Sequence, residues 1–334
     1  LLAACTFAAP QTGNYQQLKR ISLGAAPGDG EYFDYITVDS AARRVYLSHG
    51  TEVIVVNADS GSVIGKIPGL IRCHGVAIVN DLGKGYITDG DAGKVVIFDL
   101  ANLKVVGEVK TDNGANAITY DPVSKQVFSF NKGSKNVTVI DPARGVAVET
   151  IPLGGIPDAA PADGRGSIYV NLEDTNEVVV MDTHSFKIKS RWPVAPGGQP
   201  TSMAMDTQHR RLFIGGRNPK MLLVMNADNG KTIQTFPLGE RVDATTFDPE
   251  TSLIASATRD GTIQVIHEDS PNKYSLVTTV DTEFGAKTMG LDSKTHNLYL
   301  DTADFDPPAP PSEKQPNPQP QPVPGTFRLL VYVR

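Results

Sequence analysis

Apolar residues along this chain fall in short strand-like runs rich in Val, Ile, Thr, Tyr and Phe, and each run closes on Gly, Asp, Asn or Pro. Such runs between turn residues predict β-strands. No segment sustains the spacing of an amphipathic helix.

The runs recur. An aromatic position repeats as Tyr46, Tyr86, Phe128, Tyr169, Phe213 and Tyr299, with Ala255 in one weaker copy, at steps of 40, 42, 41, 44, 42 and 44 residues. About seven residues before it, most copies place a turn Asp: Asp39, Asp121, Asp163, Asp206, Asp248 and Asp292, with Val79 in the second copy. After it comes an apolar pair ending in a polar turn residue, as in Val55-Val56-Asn57, Ile97-Phe98-Asp99 and Val139-Ile140-Asp141. A further short strand and a Gly or Pro turn close each unit. A four-stranded unit of this length, repeated seven times, predicts an all-β, seven-bladed β-propeller with antiparallel blades. The last copy lacks its outer strand, and Gln17–Gly24 matches that strand in sequence. The N-terminal segment is therefore expected to complete the last blade, which removes open sheet edges. The reading assigns residues 1–14 to a signal-peptide remnant or linker and 15–334 to one propeller domain, with a Pro-rich insertion over 305–325.

The repeat also predicts where a site lies. Stepping back 12 residues from each marker, or 11 in the fourth copy, reaches the residue that opens each innermost strand. These are Asp34, His74, Asn116, Asp158, Thr201, Asp243 and Lys287, all polar. Two and four residues on, the rows are mostly apolar, the period a strand demands. A polar ring at the channel mouth over an apolar floor is expected, with Arg72, Arg241, Asp89 and Asn131 beside it. Convergent polar groups over such a floor are a default ligand site. Strand ends favour Asp, Asn and Thr for turn chemistry alone, but His74 and Lys287 are not typical turn residues and fall in the same register.

Composition narrows the chemistry. A net charge of −6 argues against binding a nucleic-acid backbone. No apolar run is long enough for a transmembrane helix. Two cysteines supply neither a disulfide framework nor a four-thiolate zinc site. No phosphate loop, HExxH, GxSxG or haem-attachment motif occurs, so no cofactor is expected. A divalent metal on Asp34, His74, Asp158 and Asp243 is the alternative. His184, His209, His267 and His296 read as surface residues, and Cys73 as a small core residue. Nine of the 24 prolines lie between residues 307 and 324, an extended segment expected over the ring face as a lid, a docking arm or a tolerated insertion.

The start, Leu1-Leu2-Ala3-Ala4-Cys5, resembles the end of a bacterial lipoprotein signal, with Cys5 as a lipidation candidate. Phe128-Ser129-Phe130-Asn131 followed by Val137-Thr138-Val139-Ile140-Asp141, and Tyr169-Val170-Asn171 followed by Val178-Val179-Val180-Met181-Asp182, resemble the YVTN or YncE-like propeller repeats. That resemblance implies a bacterial, exported, envelope-associated protein. It leaves function open, since related propellers include binding modules, lactonase-type enzymes and a lyase. The expected function is a monomeric binding module that takes a small polar ligand or an envelope protein at the ring. The alternative is a lyase or lactone hydrolase with His74 as general base beside Asp34, Asp158 or Asp243, and Lys287 or Arg241 stabilising an anion.

Overall fold

The computed structural model describes residues 15–28, 31–312 and 317–334. Cys5 and the leader reading lie outside them. Among the described residues, twenty-seven strands build a ring of seven blades, a seven-bladed propeller, with one 3-10 turn over Asn80–Leu82. Blade 1 runs outward from the channel through Phe33–Asp39, Arg44–His49, Glu52–Asn57 and Val63–Pro68. Blade 2 is Cys73–Val79, Lys84–Asp89, Lys94–Asp99 and Val105–Lys110, and blade 3 is Ala115–Asp121, Gln126–Asn131, Asn136–Asp141 and Val146–Pro152. Blade 5 is Pro200–Asp206, Arg211–Arg217, Lys220–Asn226 and Thr232–Pro237, and blade 6 is Val242–Asp248, Leu253–Thr258, Thr262–Ser270 and Lys273–Asp281.

Blades 4 and 7 depart from this plan, each for a local reason. Blade 4 has Ser167–Leu172, Glu177–Asp182 and Ile188–Pro193, and its innermost segment pairs only through the bridges Pro157–Leu172 and Ala162–Ile168. Pro157 and Pro161 remove ladder donors there. The segment still accepts from Tyr169 N through Pro161 O (3.1 Å) and from Asn171 N through Ala159 O (3.1 Å), so it holds its place in the ring. Blade 7 joins Met289–Leu291, Leu298–Thr302 and Phe327–Val333 to the N-terminal strand Gln16–Gly24, with Gln16 opposite Val333 and Gly24 opposite Phe327. The first and last strands thus share one sheet.

The repeat markers have physical roles. Tyr46, Tyr86, Phe128, Tyr169, Phe213 and Tyr299 are wholly or almost wholly buried between blades. Three of the tyrosines also donate across a junction, Tyr86 to Pro142 O, Tyr169 to Ala227 O and Tyr299 to Ala58 O, each at 2.9 Å. The turn aspartates accept backbone N–H groups, as Asp39 does from Ala42 N and Asp121 from Ser124 N, both at 2.9 Å. Val79 has no acceptor to offer, and the second blade instead closes this turn with the 3-10 bond from Gly83 N to Asn80 O. The core is not one mass. It is a series of layers between neighbouring blades, such as Phe128, Phe130 and Val139 against Ile168, Val170 and Met181. A single blade could not bury both faces, so the stability of each depends on the next.

Candidate functional site

At the end of the channel where the innermost strands begin, a cavity of about 200 Å³ is lined by Tyr32, Asp34, Tyr35, Asn116, Lys132, Asp158, Arg217, Arg241, Asp243 and Lys287. Six of these were expected from sequence: Asp34, Asn116, Asp158, Arg241, Asp243 and Lys287. Their partners form three linked groups. In the first, His74 Nδ1 lies 2.7 Å from Asp34 Oδ2 and 2.9 Å from both Tyr32 Oη and Asn116 Nδ2. In the second, Tyr35 Oη donates to Asp158 Oδ1 at 2.9 Å and to Asn116 Oδ1 at 3.2 Å, and Lys132 Nζ donates to Asp158 Oδ2 at 2.7 Å. In the third, Asp243 accepts from both Lys287 and Arg217.

Burial and charge act against each other on these groups. Burial opposes ionisation of Asp34, but the hydrogen bond and charge of His74, with Lys287 and Lys132 beyond, hold its carboxyl well below the usual range. Asp243 is likewise held low against burial by Lys287 and Arg217. Burial prevails at Asp158 and lifts it above an ordinary carboxyl. Burial disfavours the Lys132 ammonium, yet Asp158, Asp243 and Glu173 outweigh it and raise this group. Beneath the mouth, the fully buried Asp301 is pushed up to about 8 by burial. It accepts from Thr288 through Oδ1, and its Oδ2 has no hydrogen-bond partner among the described residues.

The remaining expected residues lie elsewhere. Asp89 is fully buried and caps a turn, accepting from Ile71 N and Arg72 N at 3.0 and 2.9 Å. Asn131 is fully buried and donates to Asn136 Oδ1 and Thr138 Oγ1. Thr201 donates to Val242 O at 2.9 Å, a bond between blades 5 and 6. Arg72 stacks its guanidinium over the Tyr32 ring, 3.8 Å from the centroid. His74 sits under the rim with its Nε2 against Gly90, where a Cβ would fall 2.8 Å from that nitrogen. Its other nitrogen is enclosed by Tyr32, Asp34 and Asn116. Asp158 and Asp243 hold lysine and arginine, and Asp34 alone of the ring carboxylates meets His74. Cys73 donates to Gly50 O and Glu52 O at 3.2 Å, and burial pushes its thiol up to about 12, as suits a core residue.

Four lining residues were not foreseen. Lys132 and Arg217 stand four residues after their blade markers, in a row that reads Gly50, Gly90, Lys132, Glu173, Arg217, Arg259 and Ala303. The row is charged in blades 3 to 6 and small in blades 1, 2 and 7, a signal present in the repeat. Tyr35 stands in a row otherwise built from Gly75, Ala117, Ala159, Ser202, Ala244 and Thr288. It lines both the mouth cavity and a second one deeper in the channel, between Thr37, Ala117, Ala160 and Met203. It therefore stands as a plug between them. The described residues of the Pro-rich insertion reach the same face but do not line the cavity. Its ends pair through the Phe305–Pro322 bridge, and Arg259 donates to Gln319 Oε1 and Pro320 O at 2.9 and 3.1 Å.

The chain matches no family profile and no curated protein sequence. Its fold does have solved counterparts. It is similar to a chain of Kuenenia stuttgartiensis hydrazine synthase, with a TM-score of 0.71 at 15% identity over 84% of this chain and 94% of that one. It is also similar to a chain in a structure of the mitotic checkpoint complex, with a TM-score of 0.74 at 15% identity over 100% of this chain and 98% of that one. At such identity the likeness establishes the β-propeller fold and nothing about ligands.

Proposed function

We propose that this propeller is a binding module whose channel mouth takes a small anionic ligand bearing hydroxyl groups. One observation carries the reading. Each carboxylate lining the cavity is already engaged by a basic group, whereas Arg241 at the rim is exposed and has no hydrogen-bond or ion-pair partner among the described residues. Arg259 adds to this surplus. Burial, with Arg241 and Arg217 nearby, lowers its guanidinium against the opposing pull of Asp243. An anion at the rim would meet Arg241, while its hydroxyls would find Asp158, Tyr35 and Asn116. The cavity volume suits a molecule of metabolite size. The contacts of Tyr32, Asp34 and Asn116 with His74 Nδ1 favour binding over general-base catalysis through that nitrogen. A YVTN-like, exported and envelope-associated setting, with Cys5 as a lipid anchor, belongs to the same proposal and rests on the sequence patterns alone.

Calorimetric titration with inorganic phosphate, citrate and a hexuronate tests this. At least one should bind, and Arg241→Ala should weaken it tenfold or more, with steep salt dependence. Absence of binding by all three, or equal affinity in Arg241→Ala, contradicts the proposal.

A further inference from the structure

On the face opposite the channel mouth, the junctions between blades follow a rule. Three residues before each marker the chain turns through a left-handed residue: Arg43, Gly83, Lys125, Gly166, Arg210, Ser252 and His296. Where that residue is Arg or His, it reaches the turn aspartate of the preceding blade. Arg43 binds Asp292 at 2.6 Å, Arg210 binds Asp163 at 3.2 Å, and His296 Nδ1 lies 2.7 Å from Asp248. A basic side chain thus clasps three junctions.

The junction of blades 5 and 6 reverses this. The reaching position is Ser252, which leaves Asp206 without a clasp, and a second acid arrives in its place. Glu268 occupies a position where five other blades carry Ala58, Leu100, Pro142, Thr183 and Ala227. Its side chain is only 2% exposed; Tyr274 Oη donates to Oε1 at 3.4 Å, and Oε2 is buried with no hydrogen-bond partner among the described residues. His209 Nδ1 lies 2.7 Å from Asp206 Oδ2 and 3.2 Å from Glu268 Oε1. One donor atom from each of the three residues falls within 4.8 Å of the others. Ligand atoms on a tetrahedral zinc stand about 3.3 Å apart. Arg211, buried nearby, donates to the carbonyl oxygens of Pro271, His209 and Arg210 and to Asn272 Oδ1, not to either carboxylate.

We propose that Asp206, His209 and Glu268 bind a divalent transition-metal ion that clasps blades 5 and 6, in the place that Arg43, Arg210 and His296 take at three other junctions. Two carboxylates and one imidazole suit zinc, cobalt or manganese better than calcium or magnesium. His209 is the exposed member and leaves the site open to solvent for loading. The site is separate from the anion-binding mouth and does not depend on it.

The test uses the full chain, stripped with chelator and titrated with Co(II) and Zn(II). One equivalent should bind, with visible d–d absorption for cobalt and a higher melting temperature for either ion. Glu268→Gln, which keeps the shape, and His209→Ala should each weaken binding at least thirtyfold, while His184→Ala should leave it intact. Two results overturn the proposal: no stoichiometric binding to the folded wild-type chain, or undiminished binding by Glu268→Gln. If the wild-type chain binds no metal and Glu268→Gln melts above it, the two carboxylates merely share a proton.

Discussion

The two faces of the ring handle buried charge differently. On the mouth face, acids and bases from several blades converge on one cavity, so each carboxylate feels more than one cation. Asp243, for instance, is held by Lys287 and Arg217 together. On the opposite face, a buried turn aspartate is served by a single basic side chain from the next blade, as Asp292 is by Arg43 and Asp163 by Arg210. A shared network tolerates loss of one member and can exchange a member for a ligand. A buried aspartate with one basic partner cannot, because nothing replaces that partner when it is lost. The mouth is thus suited to binding and the opposite face to holding the ring together.

The largest effect should come from the clasps. Arg210 serves buried Asp163, Asp228 and Tyr169 Oη, and Arg210→Ala is expected to cost about 3 kcal/mol by leaving Asp163 unpaired. Chemical denaturation should show a lower midpoint with an unchanged slope. A loss below about 0.5 kcal/mol, the surface norm, would erase the contrast between the faces.

A pH effect comes next, below the mouth. Asp301 has a folded value of about 8 against 3.8 in the unfolded chain. The folded protein therefore holds the extra proton between these values, and its stability declines as pH rises from 4 toward 8. Asp301→Asn should flatten that decline and melt higher than the wild type at pH 8. Parallel pH profiles for the two proteins would show that Asp301 is ionised in the fold.

The smallest effect on stability is expected at the mouth itself. Lys132→Met removes one cation from Asp158, but Arg217 also acts on that carboxyl and Tyr35 still donates to it. A loss of about 1 kcal/mol is expected, with ligand affinity falling much further. If Lys132→Met destabilises as much as Arg210→Ala, the mouth is a structural network like the clasps.

Much of this architecture could be read from the sequence because buried aromatics and turn aspartates do the same job in each blade and therefore recur. Closure by Gln17–Gly24 was legible for the same reason, as a strand out of place but in pattern. The site was only half legible. Residues that open the innermost strands share a position, but position does not fix where a side chain turns. Thr201 is short and bonds the next blade's carbonyl, and Asn131 turns inward to Asn136 and Thr138. Lys132, just after its blade's second strand, and Arg217, at the end of its own, reach the cavity because their side chains are long. Tyr32 comes from the stretch before blade 1, where the repeat offers nothing to align. His209 looked like a surface turn residue, and only the fold brings Glu268, 59 positions along the chain, to its side.

The pairing of Gln16–Gly24 with Phe327–Val333 also sets how the ring answers to force. The strands are antiparallel, with Gln16 opposite Val333. A pull between residues 16 and 333 loads a single end of the ladder, so its hydrogen bonds break in succession, as a zipper opens. The same strands drawn along their length, from Gly24 against Val333, would have to break their bonds together. Tension applied across the seam at residues 16 and 333 would therefore open the propeller at the place where it closes, while the other six blades stay folded behind it.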